Sequence, residues 1–311
     1  MWTALSLTLA YGAVFAAYAT WAISRVAAGA SPWPFVLALP FVYLVIPLSF
    51  VVVWFIVAWM FRADRPASTR LDLKRRLWLF WREFSTIAGN SPRMIAYARL
   101  MADPAPEPSS APILLVHGIL CNAGVWSPFR RWLNRRGVGP VYALSYGPPL
   151  ASIDLFAEQV ASRIDDVLRA TGATRVIAIA HSMGGLVMRA YLKRFGGSKV
   201  SRLVTIATPH QGSFHAWLAV GQSVAQLRPR NPWLAQLGAP AGSDLPPIVS
   251  LWSWHDSMVT PQTSSRVEFG ENVEVAGVGH TALLRDEAVF ERVLEEIRKA
   301  SDEPARSQPY Q

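Results

Sequence analysis

The pentapeptide Ala180-His181-Ser182-Met183-Gly184 sets a hydroxyl between two small residues, Ala180 two positions before it and Gly184 two after. A run of small and β-branched residues, Arg175 to Ala180, leads in, and a helical pattern from Leu186 to Phe195, closed by Gly196-Gly197, leads out. A strand turning sharply into a helix presents the residue at the turn beyond the carboxyl edge of a parallel sheet, where ligands of such sheets bind, and its flanks must be small for the turn to close. Ser182 is therefore a candidate nucleophile, the bland alternative being a helix N-cap serine. A serine hydroxyl attacks a carbonyl only when a base takes its proton and a third group orients that base. Strand-to-helix corners of this type take their partners in the chain order serine, acid, histidine.

His280, in VEVAGVGHTALL, follows a strand candidate and precedes the last helical pattern, so it is the candidate base, with His210 the rival. Asp256 stands in the loop after the strand candidate Ile248 to Trp252 and is the candidate acid, with Asp244 the competitor. Acyl chemistry also needs donors for a developing oxyanion. The backbone N–H of Met183 is one candidate, and the loop opened by His117-Gly118 supplies the other, Ile119 ahead of Leu120.

The elements that must position these residues alternate. Strand candidates are Ile113 to Val116, Val141 to Ser145, Arg175 to Ala180, Leu203 to Ala207, Ile248 to Trp252 and Val273 to Ala276. Helical spacing joins Ile153, Phe156, Val160, Ile164 and Val167, and again Val289, Phe290, Val293, Leu294 and Ile297. Alternating strands and helices predict an α/β fold, a mostly parallel sheet with helices on both faces. Residues 214–246 break the rhythm with Trp217, Leu218, Trp233 and Leu234 among prolines and glycines, and read as a helical cap insertion lining an apolar pocket. The remaining divisions are an apolar hairpin at 1–62, a basic juxtamembrane segment and Pro-rich linker at 63–111, the α/β domain at 112–301 and a polar tail at 302–311.

Hydrophobic residues make up 51% of the chain and charged residues 16%, too apolar for an ordinary soluble protein, and the excess lies at the amino end. Arg25 is the single charged side chain from Met1 to Phe61, between apolar runs of roughly Ala4 to Ser24 and Phe35 to Phe61. Each run has the ~20 residues a bilayer-spanning helix needs. A cleaved signal peptide fits less well, because no basic n-region precedes the first run and the second run would remain. Arg62, Arg65, Arg70, Lys74, Arg75 and Arg76 follow the second run at once, which places both termini and the α/β domain on the cytoplasmic side of a membrane, a bacterial inner membrane on this reading.

The net charge of +9 is densest there and reads as attraction to anionic headgroups, since no nucleic-acid recognition motif accompanies it. Within it, LDLKRRLWLFWREF suits either a helix lying in the interface or one packed on the domain that follows. The lone Cys121 permits no intrachain disulfide, no Cys/His spacing suggests a metal, and no cofactor is expected.

Together the elbow at 180–185, His117-Gly118-Ile119, Thr208 to Ser213 (TPHQGS), Asp256-x-x-Val259-x-Pro261 and the late Gly279-His280 resemble the α/β-hydrolase superfamily, specifically bacterial triacylglycerol lipases and related esterases. The resemblance covers roughly residues 112–300. It implies Ser182, Asp256 and His280 as a catalytic triad, Ile119 and Met183 as the oxyanion hole, and Thr208-Pro209-His210 as a structural loop. The expected activity is that of a membrane-anchored serine carboxylic ester hydrolase acting on lipid or another apolar acyl ester. Acyl transfer or thioester hydrolysis on the same triad is the alternative, and a non-catalytic membrane scaffold is a third reading. The two apolar runs depart from the secreted lipases of that group, which carry a cleaved signal peptide.

Overall fold

The computed structural model describes residues 2–238 and 244–302. Its first helices, α1 (Trp2–Ala27) and α2 (Trp33–Met60), hold 26 and 28 residues and are long and apolar enough to cross a membrane. At the usual rise per residue they measure roughly 39 and 42 Å, against a hydrocarbon core of about 30 Å. Helix α2 continues through Pro40 and Pro47. The two lie side by side: Tyr11 stacks on Tyr43 with ring centroids 5.0 Å apart, and Tyr18 donates to the Phe35 carbonyl at 2.7 Å.

Helix α3 (Leu73–Ile95) begins at an Asp72 cap, whose carboxylate accepts from the Arg75 N–H at 2.7 Å. It runs back along the hairpin, with Phe80 against Phe55 and the hydroxyls of Tyr11 and Tyr43 donating to Ser91 and to the Ala88 carbonyl. Leu79, Glu83, Thr86, Asn90 and Met94 recur every three or four residues and form its buried face. Leu73, Leu77, Trp78 and Trp81 remain 55–72% exposed. Of the two placements open from sequence, the structure packs α3 on the domain by one face and still leaves an apolar stripe uncovered. A short α4 (Tyr97–Leu100) precedes the proline-rich linker.

Then come β1 (Ile113–Val116), α5 (Ser127–Asn134), β2 (Val141–Leu144), α6 (Ile153–Thr171), β3 (Val176–His181), α7 (Met183–Phe195) and β4 (Val200–Ile206). After β4 follow α8 (Gln222–Gln226), α9 (Pro232–Leu237), β5 (Ile248–Trp252), β6 (Glu271–Glu274) and α10 (Glu287–Asp302). The strands form one parallel sheet in the order β2-β1-β3-β4-β5-β6. Alternation along each strand divides the core. Leu115, Ile179, Ile206 and Leu251 face Trp126, Phe129 and α10, whereas Leu114, Ala178 and Leu203 face α6 and α7.

β2 and β3 differ from the sequence pattern by no more than a single residue at an end, β4 and β6 by more. β4 starts three residues earlier than expected, because Arg202 is buried in an ion pair with Glu296 at 2.6 Å and so continues the strand without apolar character. β6 lies at Glu271–Glu274 instead of at 273–276. It is an edge strand held by pairing with β5, and its start is set by Gly270, where a Cβ would fall 2.4 Å from the Ile248 carbonyl oxygen.

Candidate active site

Ser182 closes β3 with φ 56° and ψ −130°, a left-handed conformation that a non-glycine residue adopts only under constraint. Its N–H donates to the Ile206 carbonyl at 2.8 Å and its carbonyl accepts from Gly185 at 3.1 Å, which pins both sides of the corner. Neighbouring atoms leave no room for side chains at Gly184 and Gly118. A Cβ on Gly184 would lie 2.5 Å from the His117 carbonyl oxygen, and one on Gly118 2.8 Å from the Ser182 Cβ. Ala180 is fully buried in the sheet, so a methyl group is tolerated there.

That same closeness brings the 117–119 backbone against the serine. The Ile119 N–H has no hydrogen-bond partner among the described residues. Met183 opens α7, a position whose N–H has no acceptor within the helix. His117 donates through Nδ1 to the Gly118 carbonyl at 2.8 Å while its Nε2 accepts from the Tyr146 N–H at 3.3 Å. Burial pushes it down to about 4, so it is a neutral strut.

Asp256 follows β5 and is buried. Its Oδ1 accepts from the N–H groups of Met258 and Val259, both at 2.7 Å, and its carboxylate receives His280 Nδ1 at 2.9 and 3.0 Å. This contact holds the imidazole with Nδ1 protonated and Nε2 available as a base. Burial alone would depress His280, but the Asp256 charge and hydrogen bond, joined by Glu83, raise it above the ordinary 6.5. Ser182 and His280 border one cavity of about 380 Å³, with no hydrogen bond between them among the described residues. Catalytic contacts of this kind often tighten only when substrate is bound.

The rivals lie elsewhere. His210 is buried beside Thr205 Oγ1 at 3.2 Å, with its carbonyl receiving Arg189. Asp244 accepts from the Gly197 N–H at 3.0 Å, at the far end of α7.

Two polar residues of the site were not singled out by the sequence. His181, inside the elbow, extends Nε2 to the His280 carbonyl at 3.1 Å; burial and the neighbouring His280 push it well below its usual range, so it serves as a neutral donor. Glu83 comes from α3, fully buried, with the loops that carry Asp256 and His280 wrapped around its carboxylate. A lone acid in a basic helix is the only hint of it in the sequence.

The cavity's other wall is α2. Phe50, Val53 and Trp54 line it opposite Leu120, Leu218, Val224 and Leu227. His215 ties the two sides together, donating through Nε2 to the Trp54 carbonyl at 3.1 Å and accepting Thr260 Oγ1 at Nδ1, 3.1 Å away. Only the first half of the expected cap borders this cavity. Trp217 and Leu218 are 60% and 56% exposed near it, whereas Trp233 donates to Asp154 on α6 and Leu234 packs with α7's face of the core. Residues 239–243 of that segment lie outside the described residues. Among the described residues no cluster of His, Cys, Asp or Glu could hold a metal ion.

Comparison with known proteins bears on this arrangement. Residues 111–232 match a family model described as alpha/beta hydrolase fold. Over 56 residues, 18% of the chain, it is 46% identical to triacylglycerol lipases of Pseudarthrobacter phenanthrenivorans and Burkholderia plantarii, and the match spans 17% and 15% of those proteins. A Bacillus licheniformis lipase in mature form superposes with a TM-score of 0.55 at 16% identity, over 63% of this chain and 96% of that one. For Aspergillus fumigatus lipase B the TM-score is 0.56 at 18% identity, over 63% and 54%. At such identities the structural likeness speaks for the fold alone. The family match begins just before the first strand and runs past the serine corner, and the parallel sheet of this order has the α/β-hydrolase fold.

Proposed function

We propose that the protein is a membrane-anchored serine carboxylic ester hydrolase whose substrates are apolar acyl esters drawn from the bilayer. The observation that carries this reading is the composition of one cavity: Ser182 and His280 on one side, Phe50, Val53 and Trp54 of the apolar hairpin on the other. An acyl chain entering it would exchange lipid contacts for side chains of similar polarity. Its ester would then lie at the serine corner. The 46% identity to triacylglycerol lipases over a short segment agrees with an ester substrate.

In the mechanism, the Ser182 oxygen attacks the ester carbonyl carbon as its proton passes to His280 Nε2. The carbonyl oxygen becomes an oxyanion held by the N–H groups of Ile119 and Met183, and Asp256 stabilises the imidazolium through Nδ1–H. Collapse breaks the carbon–oxygen bond to the alcohol, which leaves with the proton from His280. Water, deprotonated by the same nitrogen, then attacks the acyl-serine and returns free serine and a carboxylic acid. If an alcohol or thiol replaces water, the same intermediate gives acyl transfer, and product analysis with such acceptors present separates the outcomes.

The hairpin anchors the enzyme, with the cluster from Arg62 to Arg76 holding the hydrolase side in the cytoplasm. The decisive experiment is labelling of intact membranes with a fluorophosphonate, with and without prior exposure to long-chain esters. Labelling that long-chain ester suppresses supports the reading. Failure of the protein to label removes it. For orientation, an alkaline phosphatase fusion after Gln311 should be silent, and an active one would reverse the topology.

A further inference from the structure

We infer that Glu83, on the helix between hairpin and hydrolase domain, is a positioning residue for the Asp256–His280 pair. This rests on the triad reading above. Its Oε1 accepts from Ser257 Oγ at 2.9 Å, from the Thr281 N–H at 2.8 Å and from Thr281 Oγ1 at 2.7 Å, and its Oε2 accepts from the Ala282 N–H at 3.0 Å. Ser257 directly follows the acid, and Thr281 directly follows the base. One carboxylate therefore ties together the two loops whose separation sets the Asp256–His280 contact. Gly279 admits it: a Cβ there would lie 2.5 Å from Glu83 Oε2.

A fully buried carboxylate is strongly unfavourable unless its charge is answered by hydrogen bonds, and here four donors answer it without a cation. Its negative charge also reaches His280 and favours the protonated ring. Glu83 thus does two things through His280: it fixes where the ring stands and raises its basicity.

The test is the pH profile of kcat/KM for the full-length protein in membranes, with Ser182→Ala in parallel to show that turnover depends on the triad. Glu83→Gln keeps an acceptor oxygen but loses the charge, so kcat should fall roughly tenfold and the acid limb should move to lower pH. Ser257→Ala removes one donor and leaves the charge less neutralised, so its acid limb should move the opposite way. A folded Glu83→Gln protein with an unshifted limb and unchanged kcat overturns the proposal. So does a Ser257→Ala limb that moves down. Residual turnover in Ser182→Ala overturns the triad reading instead.

A separate observation concerns a cavity of about 660 Å³ where the end of α2 meets the start of α3. Arg62, Arg65, Arg70 and Arg76 all border it, and none pairs with a carboxylate among the described residues; Asp72 is engaged by Arg75, Asp64 borders the cavity without an ion pair, and Asp256, which also borders it, is taken up by His280. The geometry points to a binding site for a phosphate-bearing anionic ligand. Arg65 is half-buried, and burial followed by the charges of Arg62, Arg76 and Arg70 pulls it below its ordinary value. The repulsion among these groups is relieved by an anion, and guanidinium forks match phosphate oxygens. His255, also on the cavity, donates to the Thr69 carbonyl and is pushed by burial to about 4, so it adds no charge near neutrality. Phe55 and Trp59 of α2 form the apolar edge, which suits a phosphate carried on a lipid.

Binding to the full-length protein in neutral detergent should be measured with phosphatidylglycerol, phosphatidylcholine and inorganic phosphate. Phosphatidylglycerol should bind more tightly than phosphatidylcholine, and Arg65→Gln with Arg70→Gln should weaken it at least ~10-fold. Competition by millimolar inorganic phosphate would assign the site to phosphate as such, and its absence to the lipid headgroup. Equal binding of both lipids, unaffected by the double variant, overturns the site.

Discussion

The two sides of the candidate active site are built differently. The serine side is local: strand, corner and helix are contiguous from Val176 to Phe195, and the residues that crowd the corner are glycines close to it or on the adjoining strand end. The acid–base side is assembled at a distance. Asp256 and His280 sit on separate loops joined by a carboxylate that lies 174 residues before Ser257 and 199 before Ala282. A nucleophile can be presented by short-range backbone geometry, whereas a base must be held at the right place by whatever packs behind it. Here that backing is a helix belonging to the apolar amino-terminal part.

The comparison is sharpened most by Ser182→Ala, which should remove turnover by about 10⁶, the scale seen when a triad nucleophile is lost, while the protein folds and inserts. Fluorophosphonate labelling should vanish with it, and near-normal turnover would break the serine side of the account. Asp256→Asn should reduce kcat by roughly 10⁴ by disturbing the histidine tautomer. Asp244→Asn should leave it within about threefold, since that carboxylate serves the Gly197 turn. Reversal of these two results would move the acid to the other loop.

Gly184→Ala tests the local side through stability. Its Cβ would sit 2.5 Å from the His117 carbonyl oxygen, so a destabilisation of about 1–3 kcal/mol is expected in thermal unfolding. An unchanged melting temperature would mean that the corner is not tightly constrained. Trp54→Ala should lower kcat/KM for a long-chain ester by about tenfold and for a butyrate ester much less, because a ring's worth of apolar wall is removed from the cavity proposed to take the acyl chain. Equal losses would detach α2 from the substrate. The smallest expected effect is in pH: His280 must be neutral to act as a base, and its pKa is raised. Wild-type kcat/KM should therefore fall as pH drops through a value above 6.5.

Much of the site was legible in the sequence because small-residue spacing and strand-to-helix periodicity are local signals. The elbow, the His117-Gly118 loop and the apolar hairpin are all of this kind. The distant partners were legible only as candidates. Chain order favours His280 over His210, which precedes both acid candidates, but nothing in the spacing shows that Asp256 and not Asp244 meets it; that depends on which loops the sheet order brings to the same edge.

His181, Glu83 and Trp54 escaped for one physical reason. Each acts through a contact with a segment far away in the chain, and residue type alone does not report such contacts. A histidine beside a nucleophile reads as a spacer until its Nε2 is seen on the His280 carbonyl. A glutamate in a basic helix reads as solvated until it is found fully buried among four donors. By itself, then, the sequence determined which candidate groups stand at the sheet edge and the apolar character of the amino end, since both follow from local pattern. Tertiary structure alone decided that the apolar hairpin walls the site and that its adjoining helix supplies Glu83, because burial, unlike periodicity, depends on what the rest of the chain packs against.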